Sequence, residues 1–220
     1  MQLTLNLLSS SFDRQVCLAY HKVMSKAQIS DSAKVRILKT ASDLFYWQGY
    51  RSTGTNEIIK KAGVAKASFF YHFPTKETLA LAYLKDLHAR EAGNLLDFVN
   101  KWQKPYDRFL AVIKWIEPWI KSNELRGCGF LNMVSEVPDK RSQLRKMAKN
   151  HYESLGGLIA QLTQELINSD SKRYRHLDVS AITDSYLVVV VGAIAFSETS
   201  QDARPSRRAV EAVKALISPQ

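Results

Sequence analysis

The sequence predicts an all-α protein: an N-terminal three-helix domain built around a helix-turn-helix, then a larger helical C-terminal domain. Three observations predict it. Apolar residues recur at three- and four-residue spacing along most of the chain, and no stretch alternates as a half-buried strand would. Glycine, proline, serine and threonine stand where helices should start and stop. Between residues 31 and 75 these signals crowd together and outline three helices joined by tight turns.

Residues 1–30 read as an N-terminal extension. Residues 1–23 hold a short apolar patch, LTLNLL, without a basic leader or a small-x-small cleavage site, so a signal peptide is rejected. Met24, followed by the polar SKAQISDS, reads as an alternative first residue. That makes 1–23 a mispredicted start or a loose extension; the competing reading is a short amphipathic helix over 12–24.

A three-helix domain is expected over 31–91. From Lys34 to Gln48, Ile37, Ala41, Leu44 and Phe45 share one helical face, and Gly49 stops the helix. Thr53-Gly54-Thr55 offers capping hydroxyls to a short helix with Ile58, Ile59 and Ala62 inward, ending at Gly63. Ala65 to His72 forms the next, and Pro74 breaks it. Thr75 then caps a long helix from about Lys76 to about Trp102.

The remainder, 92–220, reads as a second helical domain. Helices are expected over 106–121, 130–136, 139–168, 178–199 and from Arg204-Pro205-Ser206 to about 218, with a polar loop, NSDSKRYRHLD, before the fourth. The 178–199 helix is apolar nearly all round and must be buried on several sides. Its longest apolar run, Tyr186 to Phe196, falls short of the ~20 residues of a membrane span. The last helix lines up Ala209, Val210, Val213, Leu216 and Ile217 on one face. Two such helices per chain can build a four-helix interface across a two-fold axis, with Gly192, Ala193 and Ala195 allowing close approach. The competing reading is a monomeric core.

Charge narrows the partner. Net charge is +10 and the pI about 9.6, which favours a polyanion. Residues 31–90 hold ten Lys/Arg against five Asp/Glu; residues 91–220 hold eighteen against fifteen, over twice the length. The first third therefore reads as the anion-binding part. Two cysteines, Cys17 and Cys128, are too few for a disulfide framework and point to a reducing cytoplasm. Chemistry for an enzyme is missing from the sequence: the five histidines have no metal-ligand spacing, and there is no H-E-x-x-H, phosphate loop or G-x-S-x-G. No metal or cofactor is expected.

The segment KASFFYHFPTKETL, residues 66–79, carries the most specific signal. Phe69 and Phe73 stand one helical turn apart and can plug a three-helix core, leaving Lys66, Ala67, Phe70 and Tyr71 on other faces. A recognition helix needs this division: one apolar side to hold it rigid, and small, flat or polar residues where it meets base edges and phosphates. Thr55, Tyr71, His72 and Lys76 are suited to phosphate oxygens, and Lys76 sits at a helix N-terminus that favours anions.

With Ile58, Ala62, Gly63, Val64, Lys66, Ser68, Phe69, His72, Phe73, Thr75, Lys76, Glu77 and Leu79 in an ungapped register, residues 31–85 resemble the DNA-binding domain of TetR-family transcriptional regulators. Ala65 replaces the family's common Ser, Ala67 the common Gly, and Phe70 the common Tyr, with loss of a hydroxyl. The resemblance implies a homodimer that binds palindromic double-stranded DNA, a repressor released by a small molecule. It implies that Lys66 and Ser68 face base edges or flanking phosphates, that Ala67 allows close approach, and that Phe70 and Tyr71 pack against sugar or base. His72 and Lys76 would hold phosphates, Thr53 or Thr55 would contact the backbone, and Asn56 could reach a base.

It also implies a ligand pocket in the C-terminal domain, for which Trp102, Phe109, Ile113, Trp119, Cys128, Phe130, Met133 and Tyr152 are the candidates; the alternative for these residues is ordinary core packing. Cys128, between two glycines at an expected helix start and near Arg126, raises a second reading as an oxidant or electrophile sensor, against a buried structural role. The competing functions are a regulator that binds DNA constitutively, a sequence-tolerant DNA binder and a helical enzyme. Dimerisation is assigned to the helices at 178–199 and 205–218, and no membrane partner is expected.

Overall fold

The structure, a computed structural model, describes residues 32–218; the expectations for residues 1–30 lie outside them. The described residues hold ten helices and no strand, in the all-α class expected. They are α1 (Ala33–Trp47), α2 (Thr55–Ala62), α3 (Lys66–His72), α4 (Lys76–Val99), α5 (Pro105–Ser122), α6 (Gly129–Glu136), α7 (Gln143–Ser169), α8 (Ser171–Tyr174), α9 (Val179–Ser200) and α10 (Arg204–Leu216).

Two compact units form. Among the described residues one comprises 32–90 with 129–151, the other 91–128 with 152–218. The α6 helix and the first turns of α7 cluster with the helix-turn-helix.

In the first unit, Ser32 caps α1 by accepting the Val35 N–H, and Ile37, Ala41, Leu44 and Phe45 turn inward as the periodicity required. Ile58 and Ala62 of α2 and Phe69 of α3 complete the small core. Burying a side chain of this size stabilises the fold by about 1.5–3 kcal/mol. Gly63 ends α2 at φ 62°, ψ 43°, a left-handed conformation that glycine adopts without a Cβ penalty. Arg36 of α1 donates from Nε to the Ala62 carbonyl at 3.3 Å, so the end of α2 is tied to α1. Within the same unit, Arg145 donates to the Val134 and Val137 carbonyls (2.8 and 2.7 Å) and so caps the end of α6.

The second unit is organised by α5, α9 and α10. The Tyr186 hydroxyl of α9 donates to the Phe109 carbonyl (2.8 Å) and accepts the Ile113 N–H (3.1 Å), the two groups an α-helical step would pair with each other. Ser197 and Ser206 share a buried 2.8 Å hydrogen bond that staples α9 to α10. Arg207 and Lys121 converge on Glu117 and hold its carboxyl down at about 2.

Four expectations are corrected in detail. The long helix after Thr75 ends at Val99 rather than Trp102. The α7 helix starts at Gln143, not 139, because Pro138–Ser142 folds into a turn in which Ser142 N–H reaches the Asp139 carbonyl. The loop 168–178 contains α8, capped by Asp170, with Tyr174 buried. The α9 helix is not buried all round: Ile182, Tyr186, Val190, Ala193 and Ile194 are inside, while Val188 is 72% and Phe196 63% exposed. By length and composition α9, at 22 residues, is long and apolar enough to cross a membrane, although its apolar run is shorter.

Candidate nucleic-acid interface

The α3 helix presents two unlike sides. Phe69 and Phe73 are buried and fix the helix on α1 and α2. Lys66 and Ala67 are exposed, Phe70 is 40% exposed and Tyr71 83%. Ser68 and His72 are half-buried at the margin, and the His72 ring lies edge-on to Tyr71 at 5.0 Å. Phe70 in turn leans edge-on against Phe69 at 5.1 Å, which restricts its ring while leaving one face to solvent. The residue before α3, Ala65, sits in the extended N-cap conformation and supplies no side-chain acceptor, so the first amides of α3 are left without a capping oxygen from it.

At the start of α2, Asn56 is exposed and Thr55 half-buried. Gly54 at the N-cap likewise provides no side chain. These positions fit contacts to sugar and phosphate, which set register, while α3 carries the groups able to meet base edges.

Two sequence-predicted contacts are corrected. Thr53 is fully buried, and its hydroxyl donates to the Gly49 carbonyl at 2.7 Å, with the Leu44 carbonyl at 3.4 Å. It closes the turn after α1, its hydroxyl spent inside the domain, while Thr55 keeps part of its surface. Lys76 turns its ammonium inward. Nζ donates to the Tyr50 carbonyl at 3.0 Å and the Thr53 carbonyl at 3.1 Å, and lies 4.4 Å from the Tyr50 ring centre. Burial lowers its pKa, partly opposed by Glu136. Lys76 is thus a clamp between α4 and the turn that leads into α2, with two of its three N–H bonds engaged inside the domain.

Sequence reasoning missed Glu136. Its carboxylate, at the end of α6, accepts the Tyr50 N–H at 3.2 Å and the Arg51 N–H at 2.6 Å. Gly49, at φ 99°, precedes this grip, and a Cβ there would lie 2.8 Å from Glu136 Oε1. The Gly49 signal was legible as a helix stop, but the approaching carboxylate, far along the chain, was not.

This helix-turn-helix geometry has known counterparts. The profile of bacterial regulatory proteins of the tetR family matches residues 37–83, and that of the tetracyclin repressor-like C-terminal domain matches 105–213. The uncharacterized HTH-type transcriptional regulator YxaF of Bacillus subtilis is 48% identical over 187 residues, spanning 84% of this chain and 95% of that relative. The chain belongs to the TetR family. The HTH-type transcriptional repressor NemR of Escherichia coli is 28% identical over 134 residues, 60% of this chain and 66% of its own. Among solved structures, SCO4454, a TetR-family transcriptional regulator from Streptomyces coelicolor, superposes with a TM-score of 0.78 at 24% identity, covering 89% of this chain and 93% of that one. It shares the fold.

As a TetR-family transcriptional regulator, the chain has its candidate ligand residues divided between the two units. In the second, Phe109 and Ile113 are buried beneath Tyr186, whose ring lies 5.1 Å from Phe109. Trp119 stacks on Trp115 at 5.5 Å, while Trp102 is on the surface with the Lys114 ammonium 5.0 Å from its ring. Cys128 is buried, and the Tyr152 hydroxyl lies 3.3 Å from its sulfur. Arg126, expected to activate this thiol, instead pairs with Glu198 at 2.9 Å. Burial and the engaged guanidinium favour the buried structural role of Cys128 over the oxidant or electrophile sensor. In the first unit, Phe130 and Met133 are buried, and Phe130 stacks on His151 with ring centres 3.9 Å apart. His151 and His88 face each other through Nδ1 atoms 3.1 Å apart. Burial, reinforced by His88, holds the His151 pKa down at about 3. Among the described residues no group of three His, Cys, Asp or Glu side chains is placed to hold a metal.

Proposed function

We propose that this TetR-family regulator is a cytoplasmic repressor that binds a palindromic operator as a homodimer and releases it when a small molecule occupies the C-terminal domain. The observation that carries the reading is the division of α3, with Phe69 and Phe73 buried and Lys66, Ala67, Phe70 and Tyr71 turned outward. Lys66, Ser68, Tyr71 and Asn56 are the residues for base edges and nearby sugar-phosphate, with Thr55 and His72 on phosphate.

One short recognition helix covers too little DNA for specific affinity, whereas two set one helical turn apart read both halves of a palindrome. The exposed face of α9 supports a second copy. Val188, Gly192, Ala195 and Phe196 follow one another at helical spacing on it, all exposed. A Cβ on Gly192 would meet nothing within 4 Å of its own chain. A small residue there suits close approach of a neighbouring helix. This is also the reading we prefer for the membrane-like composition of α9.

The test is selection from a random duplex pool by the purified protein. A palindrome is expected to enrich, and Tyr71→Ala and Lys66→Ala should each weaken binding to it without changing the melting temperature. Enrichment of no sequence would reduce the protein to a sequence-tolerant DNA binder. A monomer by sedimentation at micromolar concentration would defeat the dimer.

A further inference from the structure

The net positive charge of the described chain lies on one unit. Residues 32–90 with 129–151 carry fifteen Lys/Arg against six Asp/Glu, a net of +9. Residues 91–128 with 152–218 carry thirteen of each, a net of zero. The helix-turn-helix stretch 32–90 accounts for +6 of the nine, ten against four. The other +3 comes from the excursion 129–151, whose five basic residues are Lys140, Arg141, Arg145, Lys146 and Lys149, against Glu136 and Asp139.

Some of these charges have structural work, Asp139 among them, whose carboxylate accepts the Arg141 N–H at 2.9 Å. Glu136 accepts the Tyr50 and Arg51 amides, and Arg145 caps α6. Lys140, Arg141, Lys146 and Lys149 are exposed. The Arg141 side chain is 95% exposed, and its 3.9 Å approach to Asp139 is a surface pair worth little.

Position matters as much as charge. The connection from α6 to α7 is fastened at both ends to the helix-turn-helix. Glu136 holds it to the turn at Tyr50 and Arg51, just ahead of α2. Ser142 donates from Oγ to Glu77 Oε1 at 3.3 Å, in the first turn of α4. Those anchor points adjoin the starts of α2 and α4, and Arg51 beside the first anchor is itself exposed. Between them the tip Pro138-Asp139-Lys140-Arg141 projects into solvent.

We propose that Lys140 and Arg141, continued along α7 by Lys146, form a second DNA-backbone contact that holds phosphates flanking the sequence read by α3. The inference rests on the DNA binding proposed above. Cations that neutralise phosphates release condensed counterions, and arginine can grip a phosphate through two N–H groups at once. Charge kept only for solubility would have no reason to leave the other unit balanced at a net of zero. The contact reads no base, so it strengthens binding and widens the footprint without altering sequence preference.

The test uses the full chain and a duplex that the wild type enriches from a random pool, in a long form and in one trimmed to the enriched core. Lys140→Gln/Arg141→Gln keeps the polar surface and touches no buried group. Lys172→Gln/Arg173→Gln, two exposed cations of the neutral unit, is the control. The loop variant should make the plot of log affinity against log salt shallower by about 0.9 for each phosphate no longer neutralised. Hydroxyl-radical protection should shorten at its outer edges with the centre unchanged. Trimming should weaken the wild type and leave the loop variant nearly unaffected. A wild-type slope and footprint in the loop variant would overturn the inference, as would an equal weakening in the control. If Tyr71→Ala abolishes binding while the loop variant matches wild type, only the flanking contact falls. If the wild type binds no duplex, the proposed function falls with it.

Discussion

Lys76→Met isolates the ammonium at the entry to α4, because methionine keeps most of the aliphatic stem. The wild-type ammonium donates to two neutral carbonyls at 3.0 and 3.1 Å and faces the Tyr50 ring at 4.4 Å. Hydrogen bonds to a charged group contribute about 1.5–3 kcal/mol each, and an exposed cation–π contact about 0.5–1 kcal/mol. Partial burial opposes them, as the lowered pKa of Lys76 shows. The balance is a destabilisation of about 2–3 kcal/mol on substitution. With a urea slope of about 2 kcal/mol per molar, the unfolding midpoint should fall by about 1–1.5 M. The titration must be run at one protein concentration, since the midpoint of the proposed homodimer would move with it. The salt dependence of operator binding should stay as in wild type, because the ammonium serves the fold. A midpoint shift under about 0.2 M, with a salt slope shallower by about 0.9, would overturn the clamp and return Lys76 to the phosphate contacts.

Ala65→Ser should raise stability by about 1 kcal/mol by supplying the missing N-cap oxygen of α3, read as a higher urea midpoint; no gain would mean that the α3 amides are satisfied otherwise. His151 gives a pH dependence. Its folded pKa of about 3 lies below the ordinary 6.5, so its contribution is complete above pH 6.5 and is lost as pH falls from there toward 3. At pH 5 the loss should be about 2 kcal/mol, and His151→Phe should flatten the stability profile between pH 7.5 and 5. Equal profiles in the two proteins would remove His151 from the acid response. Val188→Asp places a charge at the centre of the exposed α9 face; sedimentation should show a folded monomer, and a persistent dimer would move the interface elsewhere.

Much of the fold was legible because periodicity reports burial directly. Ile37, Ala41, Leu44 and Phe45 could be read off the 3.6-residue repeat, and Phe69 and Phe73 off their one-turn spacing. The limits appear where identity and spacing allow two roles. A lysine at a helix start suits a phosphate, but it suits two carbonyls equally well, and those carbonyls lie 23 and 26 residues away. Thr53 could cap or contact; only its depth decides. Glu136 and Tyr186 act on backbone groups 86 and 77 or fewer positions distant, which no local pattern encodes. Helix α8 has four residues, too few for a repeat to register. For α9, an apolar surface all round predicts cover on every side, whereas its own chain covers only the side of Ile182, Tyr186, Val190, Ala193 and Ile194.

The proposed repressor stands or falls on whether this helix-turn-helix reads a specific operator as one half of a dimer. Footprinting of the purified protein on DNA upstream of its own and neighbouring genes, at low and high salt, decides it. A specific dimer should protect a palindrome whose half-sites lie one helical turn apart or a multiple of it, still protected at the higher salt. Protection that is diffuse and vanishes with salt would rule that out and leave only the electrostatic binding of a strongly basic unit.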